Sequence, residues 1–403
     1  MALINKNIVI GCDPEFFFAK KGKIIGAEKI IPKEGIKCAS ASYYSSGTGK
    51  VIIDGVQAEL NPRPNSCRAN LAAEISTCFK AVANKLNDDI ECSFAGVVNV
   101  SKKEFDTLSE KSKEFGCAPD INIYKKHTNT VKVNPKVYRK RSAGGHIHLG
   151  VDYYDVVDNY NNNKTSLFAP KQLNIHDIKD KENIIDERIK SFLHNKPTCY
   201  LKLQSTAKAL QQIDRIVPML DIILGNTCVL LDRNPSAAER RKVYGKAGDY
   251  RLTNYGIEYR TLSNFWLQSY QLMSLVTGLA RTAVMIIAST IDEGSRCKCE
   301  EEIFEVTNLK DIRKAINKND FDLAMKNFKN IEPVLLANTP NVGRFPICRQ
   351  TIDAFHHIVK KGIDNYFKEN PVTHWANLPD GHGHGWESFA EKIKRTELEN
   401  LNQ

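Results

Sequence analysis

Short alternating runs of apolar and polar residues dominate the N-terminal part of the chain, and longer runs with helical spacing follow, so strands are expected early and helices late. Ile8-Val9-Ile10 reads as a buried strand leading into Gly11-Cys12-Asp13-Pro14-Glu15-Phe16-Phe17-Phe18, where Asp13 and Glu15 fall on one side of extended backbone. Lys21-Gly22-Lys23 marks a hairpin, and Asp54-Gly55 a turn between two more strands. In the second of these, Gln57, Glu59 and Asn61 alternate with Val56, Ala58 and Leu60 until Pro62 stops the run. From Ser66, Leu71, Ile75, Phe79 and Val82 are spaced for a helix.

The stretches Ile90 to Val100 and Asp120 to Val137 read as strands around a short helix, and His146 and His148 alternate on a glycine-flanked strand. An amphipathic helix is expected from Ser205 to Leu231 and another helix from Ser269 to Ile291. Between them, Tyr255 to Leu262 alternates as a strand, with Ile257 and Tyr259 on one face and Glu258 and Arg260 on the other. The polar stretch Tyr153 to Asn195 reads as a loop or insertion, and the chain beyond about Ser295 as mostly helical, including Leu309 to Lys318 and Phe321 to Phe328.

Composition narrows the class without changing this picture. The 403 residues are 42% hydrophobic and 26% charged, enough for a substantial core in one large domain or two smaller ones. The first residues lack the pattern of a secretory signal, and the two longest apolar runs are broken by Asp221 and Arg281, so no membrane span is expected. Eleven scattered cysteines without C-x-x-C pairs suit a reducing cytoplasm, and the lone Cys297-x-Cys299 pair is weak ground for zinc. The net charge of +10 suits anionic ligands, but the lysines form no single block and no nucleic-acid module is visible.

The densest chemistry lies between Ala237 and Leu267, where Arg240, Arg241, Arg251 and Arg260 accompany Glu258. A carboxylate that ligates Mg2+ beside a guanidinium that clamps a phosphate oxygen suits a metal-polyphosphate site, and a solvated ion pair explains the same residues. Asp13 and Glu15 suit a divalent cation or a solvated strand end, and His146 and His148 suit a metal, a phosphate or ordinary hydrogen bonding. The Gly/Ser-rich loop from Tyr43 to Lys50 lacks the phosphate-loop pattern. The pair His382 and His384 lacks accompanying acids and reads as a loop.

Taken together, Gly11-Cys-Asp-Pro-Glu15-Phe-Phe, Asp54-Gly-Val-Gln-Ala-Glu59-Leu-Asn-Pro62, Gly144-Gly-His-Ile-His148-Leu-Gly150, and Arg240 to Arg251 running into Gly256-Ile-Glu-Tyr-Arg260 resemble the glutamine synthetase and glutamate-cysteine ligase superfamily. Within it, the chain is most similar to the phage-associated COOH-NH2 ligase type 2 branch. The resemblance covers roughly Ile8 to Trp266 and implies an α+β fold: a curved, mainly antiparallel sheet with helices on its outer face and a helical C-terminal extension. It implies a catalytic domain over 1–292 and a helical region over 293–403, packed on the first or continuous with it.

The resemblance also implies ATP and Mg2+ or Mn2+ as cofactors. Asp13, His146 and Glu258 would form one metal set, and Glu15 and Glu59 would belong to another. His148, Arg251 and Lys246 would meet the nucleotide, Arg260 the transferred phosphoryl group, and Arg240 or Arg241 the carboxylate substrate. Asp13 stands where the superfamily usually has Glu, and only Asp54 or Gln57 is at hand for a further acid in the second set. The implied reaction joins a small-molecule or peptide carboxylate to an amine through an acyl phosphate, with ADP and phosphate released. A metal-dependent hydrolase and a catalytically silent basic protein that binds nucleic acid are the alternatives, and a homo-oligomer is compatible with the sequence.

Overall fold

The computed structural model describes residues 8–38, 49–65, 68–115, 120–125, 128–129, 134–151, 206, 208–253, 255–288, 298–338, 349–366 and 370–378. The expected insertion at Tyr153 to Asn195, most of the loop from Tyr43 to Lys50, Cys297, and the pair His382 and His384 lie outside the described residues.

Every strand pairing among the described residues is antiparallel. One sheet has the order β1 (Val9–Cys12), β12 (Ile147–Gly150), β14 (Gly256–Tyr259), β13 (Asp249–Thr253), β9 (Asp120–Asn122), β10 (Thr128–Asn129). A second has the order β3 (Lys23–Ile25), β2 (Glu15–Lys20), β6 (Gln57–Asn61), β5 (Lys50–Asp54), β4 (Ile36–Lys37), with β7 (Ile90–Ser93) also on β2. The short strands β8 (Val97–Asn99) and β11 (Lys140–Ser142) form a separate pair.

The expected continuous strand through Asp13 and Glu15 is in fact two strands. Pro14 has no N–H to give to a ladder, so β1 ends at Cys12 and β2 starts at Glu15 in a different sheet. Asp13 and Glu15 therefore belong to neighbouring but distinct acid groups. Both expected turns form: Lys20 pairs with Lys23 across Lys21-Gly22, and Asp54 pairs with Gln57. Gly55 takes φ +62°, left-handed backbone that glycine adopts without steric cost.

The segment expected to be an amphipathic helix is buried all round beyond its first residues. It comprises Ile213–Leu220, a π-helical turn at Asp221–Gly225 and Asn226–Leu231, and every residue from Ile216 to Asp232 is buried. Its periodicity showed an apolar stripe but not that the opposite side is also covered, by the helices Tyr270–Ala288, Leu309–Lys318 and Phe321–Asn338. Tyr270–Ala288 is long and apolar enough to cross a membrane, yet most of it, Arg281 included, is buried within the protein. The region from Asp120 to Val137 also departs from expectation, since only Asp120–Asn122 and Thr128–Asn129 are strands among its described residues.

The architecture is thus α+β, with antiparallel sheets, a central helical layer and further helices at the C-terminal end. A single core joins the two large sheets to the helices as far as Leu378. Trp375, in the helix Pro371–Ala376, stacks on Phe79 of Arg68–Ala83 with ring centroids 5.9 Å apart, and its indole N–H donates to the Leu267 carbonyl at 2.6 Å. Trp375→Ala removes both contacts, and a loss of ~3–5 kcal/mol in unfolding free energy is expected from urea denaturation. A loss below ~1 kcal/mol would show that this helix contributes little to the core.

Candidate active site

Strand register aligns ionisable residues across the first sheet. Gly11 on β1 pairs with His148 on β12, His148 with Glu258 on β14, and Glu258 with Arg251 on β13. Directly opposed residues share a face, so imidazole, carboxylate and guanidinium form a row. Asp13 and Arg260 stand beside the row, where their strands run on past its end. Asp13 Oδ1 lies 3.2 Å from His148 Nε2 and 3.1 Å from His146 Nδ1, and His146 Nδ1 is 3.3 Å from Glu258 Oε1. Arg260 donates through Nη1 to Glu258 Oε1, and Arg251 Nη1 lies 3.2 Å from Glu258 Oε2.

Burial makes these pairings energetically important. Glu258, His146 and Arg260 are each 1% exposed, and a buried charge without a partner would be expensive. Burial alone would raise the Asp13 carboxyl, but His148 and His146 together outweigh it and hold the group well below the usual carboxylate range. Burial lowers His146 to about 4, with the nearby Arg260 charge acting in the same direction. For His148, burial pushes down but the adjacent Asp13 prevails, so its affinity for a proton is raised.

The second sheet holds a purely acidic group. Glu15 and Glu59 are directly opposed across β2 and β6, and their carboxylates cluster with that of Asp54 at the end of β5. Like charges opposed in this way destabilise a sheet. Three hydrogen bonds orient the carboxylates: the Gly144 N–H donates to Glu15 Oε2 at 2.7 Å, Gln57 Nε2 donates to the same oxygen at 3.2 Å, and Asn61 Nδ2 donates to Glu59 Oε1 at 2.7 Å. Burial, with the neighbouring carboxylates, pushes Glu15 up to about 8 and Glu59 up to about 9, and Asp54 is raised for the same reasons.

Both groups have the composition of a cation site. One oxygen from each of Glu15, Asp54 and Glu59, and one donor from each of Asp13, His148 and Glu258, lie within 4.8 Å of one another in their own set. An all-oxygen set suits Mg2+, and the mixed set also suits Mn2+. The acid group is the more telling fit, because a cation among opposed carboxylates removes the repulsion that otherwise retains protons there.

The structure brings Asp13, His146, His148, Glu258, Arg260 and Arg251 together, with Glu15 and Glu59 in the adjoining acid group. It does not bring all four arginines there. Arg240 is fully buried, donates to the carbonyls of Thr261 at 2.9 Å and Arg260 at 3.3 Å, and is close enough for its charge to act on Glu15. Arg241 donates to Asn319 Oδ1 at 2.7 Å, on the side of the C-terminal helices. Lys246 contributes its backbone, donating its N–H to Asp249 Oδ2 at 2.7 Å and accepting from the Thr261 hydroxyl at 3.0 Å.

Sequence reasoning left Asp54 as one of two options for a further acid and gave no role to Tyr244 and Tyr255. Each tyrosine hydroxyl is hydrogen-bonded to a histidine, Tyr244 to His146 Nε2 and Tyr255 to His148 Nδ1. Their place within the arginine-rich stretch was the only available signal.

Residues 208–359 match the family model described as phage phiEco32-like COOH.NH2 ligase-type 2. Over that segment the chain is similar to COOH.NH2 ligase-type 2 sequences. The match contains Glu258, Arg251 and Arg260, whereas Asp13, Glu15, Glu59, His146 and His148 precede it. Among solved structures, the chain is similar to a bifunctional glutathione synthetase from Pasteurella multocida, at 10% identity and a TM-score of 0.37, over 93% of this chain and 56% of that one. It is also similar to a novel glutamine synthase homolog, at 11% identity and a TM-score of 0.30, over 88% of this chain and 71% of that one. The chain thus spans little more than half of the glutathione synthetase, and likeness at these TM-scores says nothing about activity. No curated protein matches.

The acid group sets a pH dependence. Unfolding returns Glu15 and Glu59 from about 8 and 9 to an ordinary value near 4.5, so between these limits the folded chain holds protons that the unfolded chain has released. The stability contributed by the group is therefore greatest at the acid end of this window and falls as pH rises. Thermal unfolding in chelator at pH 6, 7 and 8 tests this through the gain on adding Mg2+, which is expected to grow with pH as the cation takes the place of the protons. A gain independent of pH would contradict the assignment.

Proposed function

We propose that the chain is an ATP-dependent carboxylate-amine ligase that works through an acyl phosphate. One observation carries this reading: a single sheet face sets His148, Glu258 and Arg251 in register, with Arg260 paired to the same Glu258, beside three clustered carboxylates. Such a face suits a polyphosphate and the cations that accompany it. The COOH.NH2 ligase-type 2 match supports the ligase class independently of this geometry.

Asp13, Glu258 and one or both histidines would hold one Mg2+ or Mn2+, and Glu15, Asp54 and Glu59 a second. When bound, these ions would supply positive charge for the ATP phosphates. Arg260 stabilises the phosphoryl group in transfer, and Arg251, with about a third of its side chain exposed, reaches the nucleotide together with His148. Lys246 approaches the nucleotide from the loop before β13. Arg240 keeps Arg260 in place through its backbone, while the position of Arg241 favours support of the C-terminal helices over steering of substrate.

The chemistry proceeds in two balanced steps. A substrate carboxylate oxygen attacks the γ-phosphorus, the bond to the bridging oxygen of ADP breaks, and the acyl phosphate forms. An amine nitrogen then attacks the acyl carbon, phosphate leaves with the bonding electrons, and the nitrogen loses a proton to give the amide or isopeptide bond. The substrates are a small-molecule or peptide carboxylate and an amine. We assign the site to a unit over 1–292, with 293–403 as its helical extension. Six free thiols among the described residues suit a reducing cytoplasm.

The test is ADP formation from Mg-ATP with pooled carboxylates and amines, comparing the natural chain with Glu15→Gln and Arg260→Ala. Pool-dependent ADP formation is expected, reduced at least ~10³-fold by Arg260→Ala and strongly by Glu15→Gln. ADP formation unaffected by either substitution would refute this site.

A further inference from the structure

The two histidines turn different ring nitrogens towards the same oxygen. His146 approaches Asp13 Oδ1 with Nδ1 at 3.1 Å, and His148 approaches it with Nε2 at 3.2 Å. In each ring the opposite nitrogen meets a tyrosine hydroxyl: Tyr244 for His146, and Tyr255 for His148. A tyrosine therefore fixes which nitrogen of each ring faces the candidate cation.

Chain geometry accommodates both pairs. A side chain at Gly144 would place its Cβ 2.3 Å from His146 Nε2, and one at Gly150 would place its Cβ 3.0 Å from the Tyr255 ring. The glycines of Gly144-Gly-His-Ile-His-Leu-Gly150 thus leave room for the imidazole-phenol contacts. Tyr255 also lies almost parallel to His148, with centroids 5.9 Å apart and planes at 24°.

Tyr244 is tied further into the site. Its hydroxyl oxygen accepts from Arg260 Nη2 at 2.8 Å, and the guanidinium groups of Arg240 and Arg260 lie 4.5 and 5.2 Å from its ring centroid. One phenol therefore connects His146, whose Nδ1 touches Asp13 and Glu258 of the candidate metal group, to the arginine assigned to phosphoryl transfer.

We propose that Tyr244 and Tyr255 are positioning residues that fix His146 and His148 through the ring nitrogens turned away from Asp13, and that Tyr244 also fixes Arg260 relative to His146. This inference rests on the reading of the row as a cation site, although its test needs no ligase substrate. Groups that orient metal-binding histidines contribute about 10- to 100-fold to metal affinity. Tyr→Phe at either position removes the hydroxyl and keeps the ring, so packing is preserved.

Mn2+ binding to the full chain, measured by electron paramagnetic resonance, tests the proposal, with Tyr138→Phe as a remote control. Each of Tyr244→Phe and Tyr255→Phe is expected to weaken Mn2+ binding about 10-fold, with Tyr138→Phe unchanged. Nitrogen-15 histidine spectra of the metal-free chain should show the His146 Nε2 signal moving in Tyr244→Phe and the His148 Nδ1 signal moving in Tyr255→Phe. Natural-chain binding with both variants unchanged would overturn the proposal and leave the ligase reading standing. Absence of Mn2+ binding to the natural chain would overturn the cation-site reading and this inference with it. Tyr255 is 40% exposed, so its variant remains informative even if Tyr244→Phe fails to fold.

Discussion

Glu15 and Glu59 face each other across two antiparallel strands, with Asp54 alongside, and carboxylates placed in this way repel unless a proton or a cation lies among them. Much of the neighbouring structure maintains this costly arrangement. Pro14 separates β1 from β2, so that Glu15 enters one sheet and Asp13 the other. The Gly144 N–H and Gln57 then orient Glu15 from the segment just before β12 and from β6 respectively. The two cation groups are consequently joined through the backbone at Asp13-Pro14-Glu15 and at Gly144 to His148.

The arginines divide the work by depth. Arg260 and Arg251 pair with Glu258, whereas Arg240 and Arg241 are buried and bond to backbone or to Asn319. Removing Arg240 would leave two buried carbonyls without this donor, and removing Arg241 a half-buried amide oxygen, so loss of activity in such variants would not by itself indicate contact with substrate. The helix Tyr270–Ala288 packs on β12, and the π-helical turn before it meets Tyr259 of β14 within the same core. Asp221, in the π-helical turn, accepts from the hydroxyls of Tyr259 and Tyr124 at 2.7 Å each and so anchors the buried face of the strand whose other face carries Glu258.

Much of this was legible in the sequence because strands follow a period of two. The alternation in Tyr255 to Leu262 placed Glu258 and Arg260 on one face, and Asp54-Gly55 identified a turn that forms as expected. The separation of Asp13 from Glu15 into two acid groups followed from the family resemblance, whereas local alternation alone made them one face of one strand. Three features were not accessible to local pattern. Burial of the 216–231 segment on all sides depends on helices distant in sequence, the placement of Arg241 depends on Asn319, and the tyrosine contacts depend on segments that meet only in the fold. Local periodicity specifies which face a side chain occupies but not what another part of the chain brings to it.

Anomalous diffraction from crystals grown with Mn2+ and a non-hydrolysable ATP analogue would locate the cations and the nucleotide. One manganese peak is expected among Asp13, Glu258 and the histidine pair, a second among Glu15, Asp54 and Glu59, and the polyphosphate against Arg260 and Arg251. Manganese and nucleotide bound elsewhere, with the three carboxylates of the acid group empty, would contradict this assignment.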